Sequence, residues 1–203
     1  NFCISYKDYE TYKRDGANVD KLLVCPNGAQ HRDYHFTENP LKPSWTLYLG
    51  RIEPRKRQYL YQDIYGIEFV GKYTDTTSFD RNRDCYLGQW EHEYKLQHVT
   101  DYGNMMLLSD GENGTPLVIK EALVAGLGVV VSKYAAHDLD TSLPFVTVIP
   151  DDKWEDIEYV QMKLIENRKI SVTMRKEIRQ YGVDNFSWQK LVKTYVENIE
   201  GME

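Results

Sequence analysis

The chain has 203 residues, enough to bury a sizeable core in one large domain. Hydrophobic residues make up 41% and charged residues 28%, the balance of a globular protein rather than a disordered one. A net charge of -6 gives no basic footprint for nucleic acid, and no apolar run reaches the roughly 18 residues of a membrane span.

The three cysteines, Cys3, Cys25 and Cys85, are odd in number and form no C-x-x-C. They indicate neither a disulfide framework nor a zinc site, and a reducing compartment follows. Two N-x-[ST] triplets, at Asn113 and Asn185, carry little weight without a signal peptide.

The sequence opens on an apolar run, Phe2-Cys3-Ile4, that reads as a strand. A helix is predicted over Tyr6–Lys13, a strand over Lys21–Cys25 and a turn at Pro26-Asn27-Gly28. The Pro-containing stretch Glu38–Pro43 is the best seam. Strands then follow at Trp45–Ile52, Ile67–Val70, Cys85–Leu87, Met105–Leu108, Val129–Ser132 and Phe145–Ile149. Between them, helices are predicted over Pro54–Ile64, Glu91–Val99 and Pro116–Ala125, the last stopped by Gly126. A polar loop covers Thr74–Arg83. Three helical stretches close the chain: Lys153–Asn167, Ser171–Tyr181 and Trp188–Ile199. In the last, Leu191, Val192, Tyr195, Val196 and Ile199 share one face. Strands alternating with single helices imply parallel units with right-handed crossovers. The expected fold is α/β: a Rossmann-like, doubly wound parallel sheet with a C-terminal helical segment, in one domain spanning 1–203.

Two segments carry chemistry. In Gly50-Arg51-Ile52-Glu53-Pro54-Arg55-Lys56 a strand ends and a helix is expected to start. Ligands of open α/β sheets sit outside the carboxyl ends of strands. There Arg51 offers a fork matching phosphate oxygens, and Lys56 adds a point charge, so the two make a diphosphate clamp. A solvated basic patch with Arg55 and Arg57 is the competing reading. In Ser109–Ala122 a buried strand runs through Gly111 and Gly114 into a helix. The amides near Thr115 and Leu117 stand at that helix start, where they can receive phosphate or sugar oxygens. Glu121, in the same helix, could accept from a ribose diol. Alternatively Glu121 is a surface carboxylate and Glu112 a turn or cap residue. If the strands ending at Gly50 and at Leu108 are neighbours across the switch point, both segments face one crevice.

These motifs resemble the C-terminal domain of family-4-type retaining glycosyltransferases of two-domain GT-B architecture. The family includes sucrose synthase-like, sucrose-phosphate synthase-like and mannosyltransferase members. Cys25-Pro26-Asn27-Gly28 is similar to its V-x-P-N-G turn, and Gly50 to Lys56 to its G-R-x-x-P-x-K. Pro116–Ala122 with Gly126 and Val129–Ser132 is similar to its E-G-F-x-L-x-x-x-E-A-x-A-x-G-x-P-V-V-x-S signature, whose first Glu stands on the sugar side, and Phe186-Ser187-Trp188 is similar to the opening of its last helix. The resemblance implies a nucleoside-diphosphate sugar donor, UDP- or GDP-linked, with no cofactor and no metal. Arg51 and Lys56 would hold the diphosphate, beside Gly50. Asn113, Gly114, Thr115 and Leu117 would line the donor, and Glu121 would contact the ribose. The family's sugar-side Glu falls at Asn113; either a one-residue insertion keeps Glu112 in that role, or Asn113 has replaced it. The resemblance also implies an N-terminal acceptor domain outside this sequence, and a glycan or lipid-linked acceptor. The full enzyme would be cytoplasmic, either free or peripheral at the membrane face. A non-catalytic nucleotide-sugar- or carbohydrate-binding module and a sugar-nucleotide epimerase of the same architecture are the alternatives. An oxidoreductase is disfavoured by the lack of G-x-G-x-x-G.

Overall fold

Apolar runs rich in Val, Met and Leu must be covered on both faces, and this decides the architecture. The computed structural model describes residues 2–74 and 78–201. Strands β3 (Lys42–Leu49), β4 (Ile67–Val70), β5 (Tyr102–Leu107), β6 (Gly128–Ser132) and β7 (Val146–Ile149) form one parallel sheet in the order β4-β3-β5-β6-β7. Every residue of β4, β5 and β6 is buried. Helix α4 (Ile157–Thr173) lies across β3, β5 and β6, and α3 (Leu117–Val124) packs on β5 and β6 and against α5 (Arg175–Phe186). The chain leaves β3 for β4 on one side and returns to β5 on the other. The switch point therefore falls between β3 and β5, as the sequence indicates, with Leu47 paired to Met105.

A separate parallel pair, β1 (Phe2–Cys3) with β2 (Leu23–Val24), precedes the sheet, with α1 (Tyr6–Arg14) between them. Ser5 caps α1 by accepting from the Asp8 amide. Helix α2 (His92–His98) lies where expected, and α6 (Trp188–Glu200) closes the described chain. Among the described residues no helix is long and apolar enough to cross a membrane.

Several boundaries differ from the sequence reading. The helix expected over Pro54–Ile64 is replaced by two 3-10 turns, Pro54–Lys56 and Gln58–Leu60. Arg57 between them is left-handed, with φ of 58°, which stops an α-helix from propagating. Cys85–Leu87 makes only a parallel bridge, Tyr86 to Phe69, rather than a strand. Strand β3 begins at Lys42, inside the stretch read as a seam. Helix α4 starts only after Asp156, which caps it by accepting from the Tyr159 amide. It runs past the predicted break because Ser171 is buried and accepts from the Gly128 amide at 2.7 Å. Part of the predicted loop Thr74–Arg83, residues 75–77, lies outside the described residues.

Gly71 closes β4 with φ of 151°. A β-carbon there would overlap the carbonyl of Gly50 at the end of β3. Gly71→Ala is expected to cost at least about 2 kcal/mol, through overlap and backbone strain. Urea denaturation checks this, and an unchanged midpoint would show that the two strand ends have room to part.

Candidate functional site

The carboxyl ends of β3 and β5 carry the two segments. Pairing continues past β3: the Gly50 amide donates to Val70 O at 2.9 Å and the Ile52 amide to Lys72 O at 2.9 Å. The chain then doubles back through its two 3-10 turns. Buried Gln58 fixes this bend, donating to Arg51 O at 2.8 Å and accepting from the Glu53 amide at 3.4 Å. The Lys56 stem consequently lies over Gly50, 3.4 Å from where a β-carbon would stand. Arg57 stacks on Trp154 at 4.0 Å and pairs with Asp110 at 3.6 Å.

The second segment is held at its root by Tyr48. Its hydroxyl accepts from the Leu108 amide at 3.0 Å and donates to the Lys56 carbonyl. Ser132 donates to Ser109 O at 2.6 Å. The Asp110 amide donates to Arg55 O at 3.0 Å, and the Arg55 guanidinium returns a bond to Asp110 O at 3.1 Å. The two segments are thus stapled together. At their junction one Glu112 carboxylate oxygen lies 3.4 Å from Lys56 Nζ and 3.2 Å from Arg55 Nη1. Burial opposes the charge of Glu112, yet Lys56 and Arg55 hold its carboxyl below the ordinary range.

Gly114 is left-handed, with φ of 89°, and a β-carbon on it would press Ser5 at 2.9 Å. Its neighbour Thr115 does not present an open amide, as the sequence suggested. Asp138 Oδ2 accepts from that amide at 3.0 Å, and the Thr115 hydroxyl accepts from the Asp138 amide at 3.0 Å. Pro116 caps α3 without any side-chain hydrogen bond, so the opening amides at Leu117 and Val118 carry no side-chain cap. A cavity of about 350 Å³ lies here, lined by Asn27, Arg55, Glu112, Asn113, Leu117 and Lys120 among others.

Gly50, Arg51, Lys56 and Glu121 lie outside that cavity lining. Lys56 reaches it through Glu112. The Arg51 side chain is 64% exposed, with Glu53 at 3.9 Å. Glu121 is not a surface carboxylate: its side chain is 8% exposed, and one oxygen pairs with Lys95 of α2 at 2.7 Å. Its second oxygen and the buried Tyr34 hydroxyl lie beside each other, without a hydrogen bond of ordinary geometry. Burial chiefly, with Glu121 beside it, raises the Tyr34 hydroxyl far above its ordinary range.

Sequence reasoning missed Lys120. Its side chain is 3% exposed, its ammonium donates to Asn27 O at 3.1 Å, and Asp138 stands 3.9 Å away. Burial lowers its pKa, with Asp138 opposing. The available signal was a lone Lys inside the apolar run Leu117–Val124. Arg55 was also undervalued, being read as part of a basic patch. Chemically the junction sets two cations on one carboxylate, beside a crevice lined by Lys120 and the start of α3, an arrangement suited to an anionic ligand. Among the described residues no cluster of three or more His, Cys, Asp or Glu could hold a metal ion.

No family model and no curated protein matches the chain. Solved structures do. Anabaena HepE in complex with UDP-glucose aligns with a TM-score of 0.72 at 13% identity, covering 98% of this chain and 63% of that one. Sucrose-phosphate synthase from Thermosynechococcus elongatus aligns at 0.72 and 16% identity, covering 99% and 57%. The pneumococcal O-GlcNAc transferase GtfA, in complex with UDP and GlcNAc, aligns at 0.72 and 13% identity, covering 99% and 44%. At such identities the likeness shows the fold, which is the Rossmann-like C-terminal half of GT-B glycosyltransferases. The chain spans less than two thirds of each of these proteins.

Glu112 yields a pH prediction. Its folded pKa is depressed, so its stabilisation is present above the ordinary value of 4.5 and is lost as pH falls through the folded value. Glu112→Gln should lower stability at neutral pH by up to about 1 kcal/mol, discounted for partial exposure. The gap from wild type should close as pH falls below 4.5. Denaturant titration across that range checks it; a gap independent of pH would mean that the Lys56 and Arg55 contacts carry no net energy.

Proposed function

We propose that the chain is the donor-binding domain of a GT-B glycosyltransferase, with residues 1–203 forming one nucleotide-sugar-binding unit. One observation carries this reading. The segment from Gly50 to Arg57 and the loop from Asp110 to Leu117 meet at the switch point, with Lys56 and Arg55 on the Glu112 carboxylate at 3.4 and 3.2 Å. A diphosphate would take the place that this carboxylate fills. The UDP and UDP-glucose named for the HepE structures support a uridine donor as the first to test.

In this reading Arg51 swings from the rim onto the diphosphate and Lys56 turns to it from Glu112. The Leu117 and Val118 amides point at the same oxygens. Asn113 and Gly114 line the sugar, and Glu112, once released, stands beside it. Glu121 exchanges Lys95 for the ribose diol. The transfer is a retaining one, as the resemblance implies. The bond from the anomeric carbon to the diphosphate oxygen breaks and the acceptor oxygen bonds on the same face. The departing phosphate takes the acceptor's proton. The cations stabilise the charge growing on the leaving diphosphate, which lowers the barrier electrostatically. The acceptor, a glycan or lipid-linked sugar, is held by a further N-terminal domain, and the full enzyme works in the cytoplasm or at its membrane face. The epimerase alternative draws little support, because among the described residues no histidine lines the crevice.

Calorimetric titration with UDP, GDP and ADP tests the reading. UDP should bind, and Arg51→Ala/Lys56→Ala should weaken it by at least about a hundredfold, the scale of two charge-assisted contacts. If none of the three binds to folded protein, or if the double variant binds as wild type does, the clamp is wrong.

A further inference from the structure

Another cavity lies at the opposite pole of the sheet. It has about 540 Å³ and is walled by Trp45 in the first half of β3, by the loop leading into β4, and by residues 82–85. Trp45 and Gly50 are five residues apart on one strand, so the two poles are separated by roughly 16 Å.

Trp45 and Tyr65 form an aromatic corner here, with ring centroids 5.5 Å apart and planes inclined by 52°. Tyr65 is 81% exposed, although a ring of this size gains most from being covered. Around the corner stand short planar polar groups. Asp63, 85% exposed, pairs with Arg83 at 2.7 Å, and Asn82 and Asp84 are exposed beside them. Glu68 is already neutralised by Lys42 at 2.6 Å. Asp63 and Asp84 then stand with Arg83 in this bay and with Arg168 and Lys169 in the adjoining one, a near-even balance that favours a ligand without strong charge. A second cavity of about 570 Å³ adjoins the first, lined by Pro43, Gln161, Ile165 and Lys169 on the α4 side. Tyr65 lines both. The site is therefore elongated, with an aromatic ridge at its middle and hydroxyl-matching groups in one bay.

We propose that this pole is a second binding site, which takes a neutral oligosaccharide laid across Tyr65 between the two cavities. Pyranose rings present apolar C–H faces to aromatic rings and hydroxyls to carboxylates, amides and guanidinium groups, which is the pairing this surface offers. The length across two bays suits a chain of several sugars rather than one. The inference does not depend on the donor reading, since a chain that binds no nucleotide could still hold a glycan here.

The test is titration of isotope-labelled protein with maltohexaose, chitohexaose and a sulfated hexasaccharide, following the Trp45 indole N–H. At least one neutral probe should shift that signal at millimolar concentration. Tyr65→Ala, an exposed change that should leave folding intact, should weaken the effect about tenfold. UDP affinity should be the same in both proteins. No shift with either neutral probe overturns the proposal, as does a shift that Tyr65→Ala leaves unaltered. Equal binding of the sulfated probe overturns the choice of a neutral ligand.

Discussion

The pairing of β3 with β5 is the interaction on which the rest depends, and it is read out by two adjacent residues of α4. Thr46 donates to Asn104 Oδ1 at 2.6 Å across the pair, and Asn104 donates in turn to Asn167 Oδ1 at 2.9 Å. Asn167 then donates to Val129 O, Phe145 O and Thr147 Oγ1, reaching β6 and β7. Its neighbour Arg168 donates to Ser44 O at 2.7 Å and Gly66 O at 3.2 Å, at the entries to β3 and β4. A slip of one residue anywhere in the sheet would turn these side chains to the wrong face and orphan several buried polar groups at once. A fully satisfied network of this kind enforces one register.

That register fixes where the two loops emerge. With Leu47 opposite Met105, the chain turns at Gly50 and at Ser109 side by side, close enough for the Tyr48 hydroxyl to bridge Leu108 and Lys56. The electrostatics of the junction follow from geometry rather than from overall charge. The protein carries a net charge of -6, yet Arg55 and Lys120 line one strand-end crevice and Lys56 joins them through Glu112. Glu112 occupies the focus of two of these cations. An incoming anion therefore exchanges one carboxylate for another oxyanion, rather than stripping water from bare charges.

The fold was largely legible because its signals are local. Buried strands such as Ile67–Val70 read as apolar runs, Gly126 ended α3 as a glycine should, and the alternation of elements gave the parallel order with its switch point. What was not legible rests on tertiary contacts. The segment after Pro54 has helix-forming residues, but buried Gln58 and the ring of Trp154 pull it into two turns around Arg57. The site shows the same division. Residue types and order indicated Lys56 and Glu112, whereas the engagement of Thr115 by Asp138 depends on a residue 23 positions away, which no spacing rule reaches. Glu121 was visible as a carboxylate in a helix, but its burial against Lys95 required knowing that α2 packs beside it.

Lys120 marks where stability stops being a sufficient account. Its ammonium is withdrawn from water with one hydrogen bond to Asn27 O, the Phe186 ring 5.5 Å away and a carboxylate at 3.9 Å, beyond hydrogen-bond reach. Such a group pays most of the desolvation penalty and recovers only part of it, so an apolar side chain of similar volume would hold α3 at least as well. Asp138, its partial partner, meanwhile occupies the Thr115 amide beside the start of the same helix. The pair therefore links three things: the Asn27 turn, the Gly114–Thr115 backbone and the floor of the crevice. If the chain binds a nucleotide sugar as proposed, a phosphate on the amides that open α3, which carry no side-chain cap, would supply the Lys120 ammonium with the negative charge that its surroundings only partly provide.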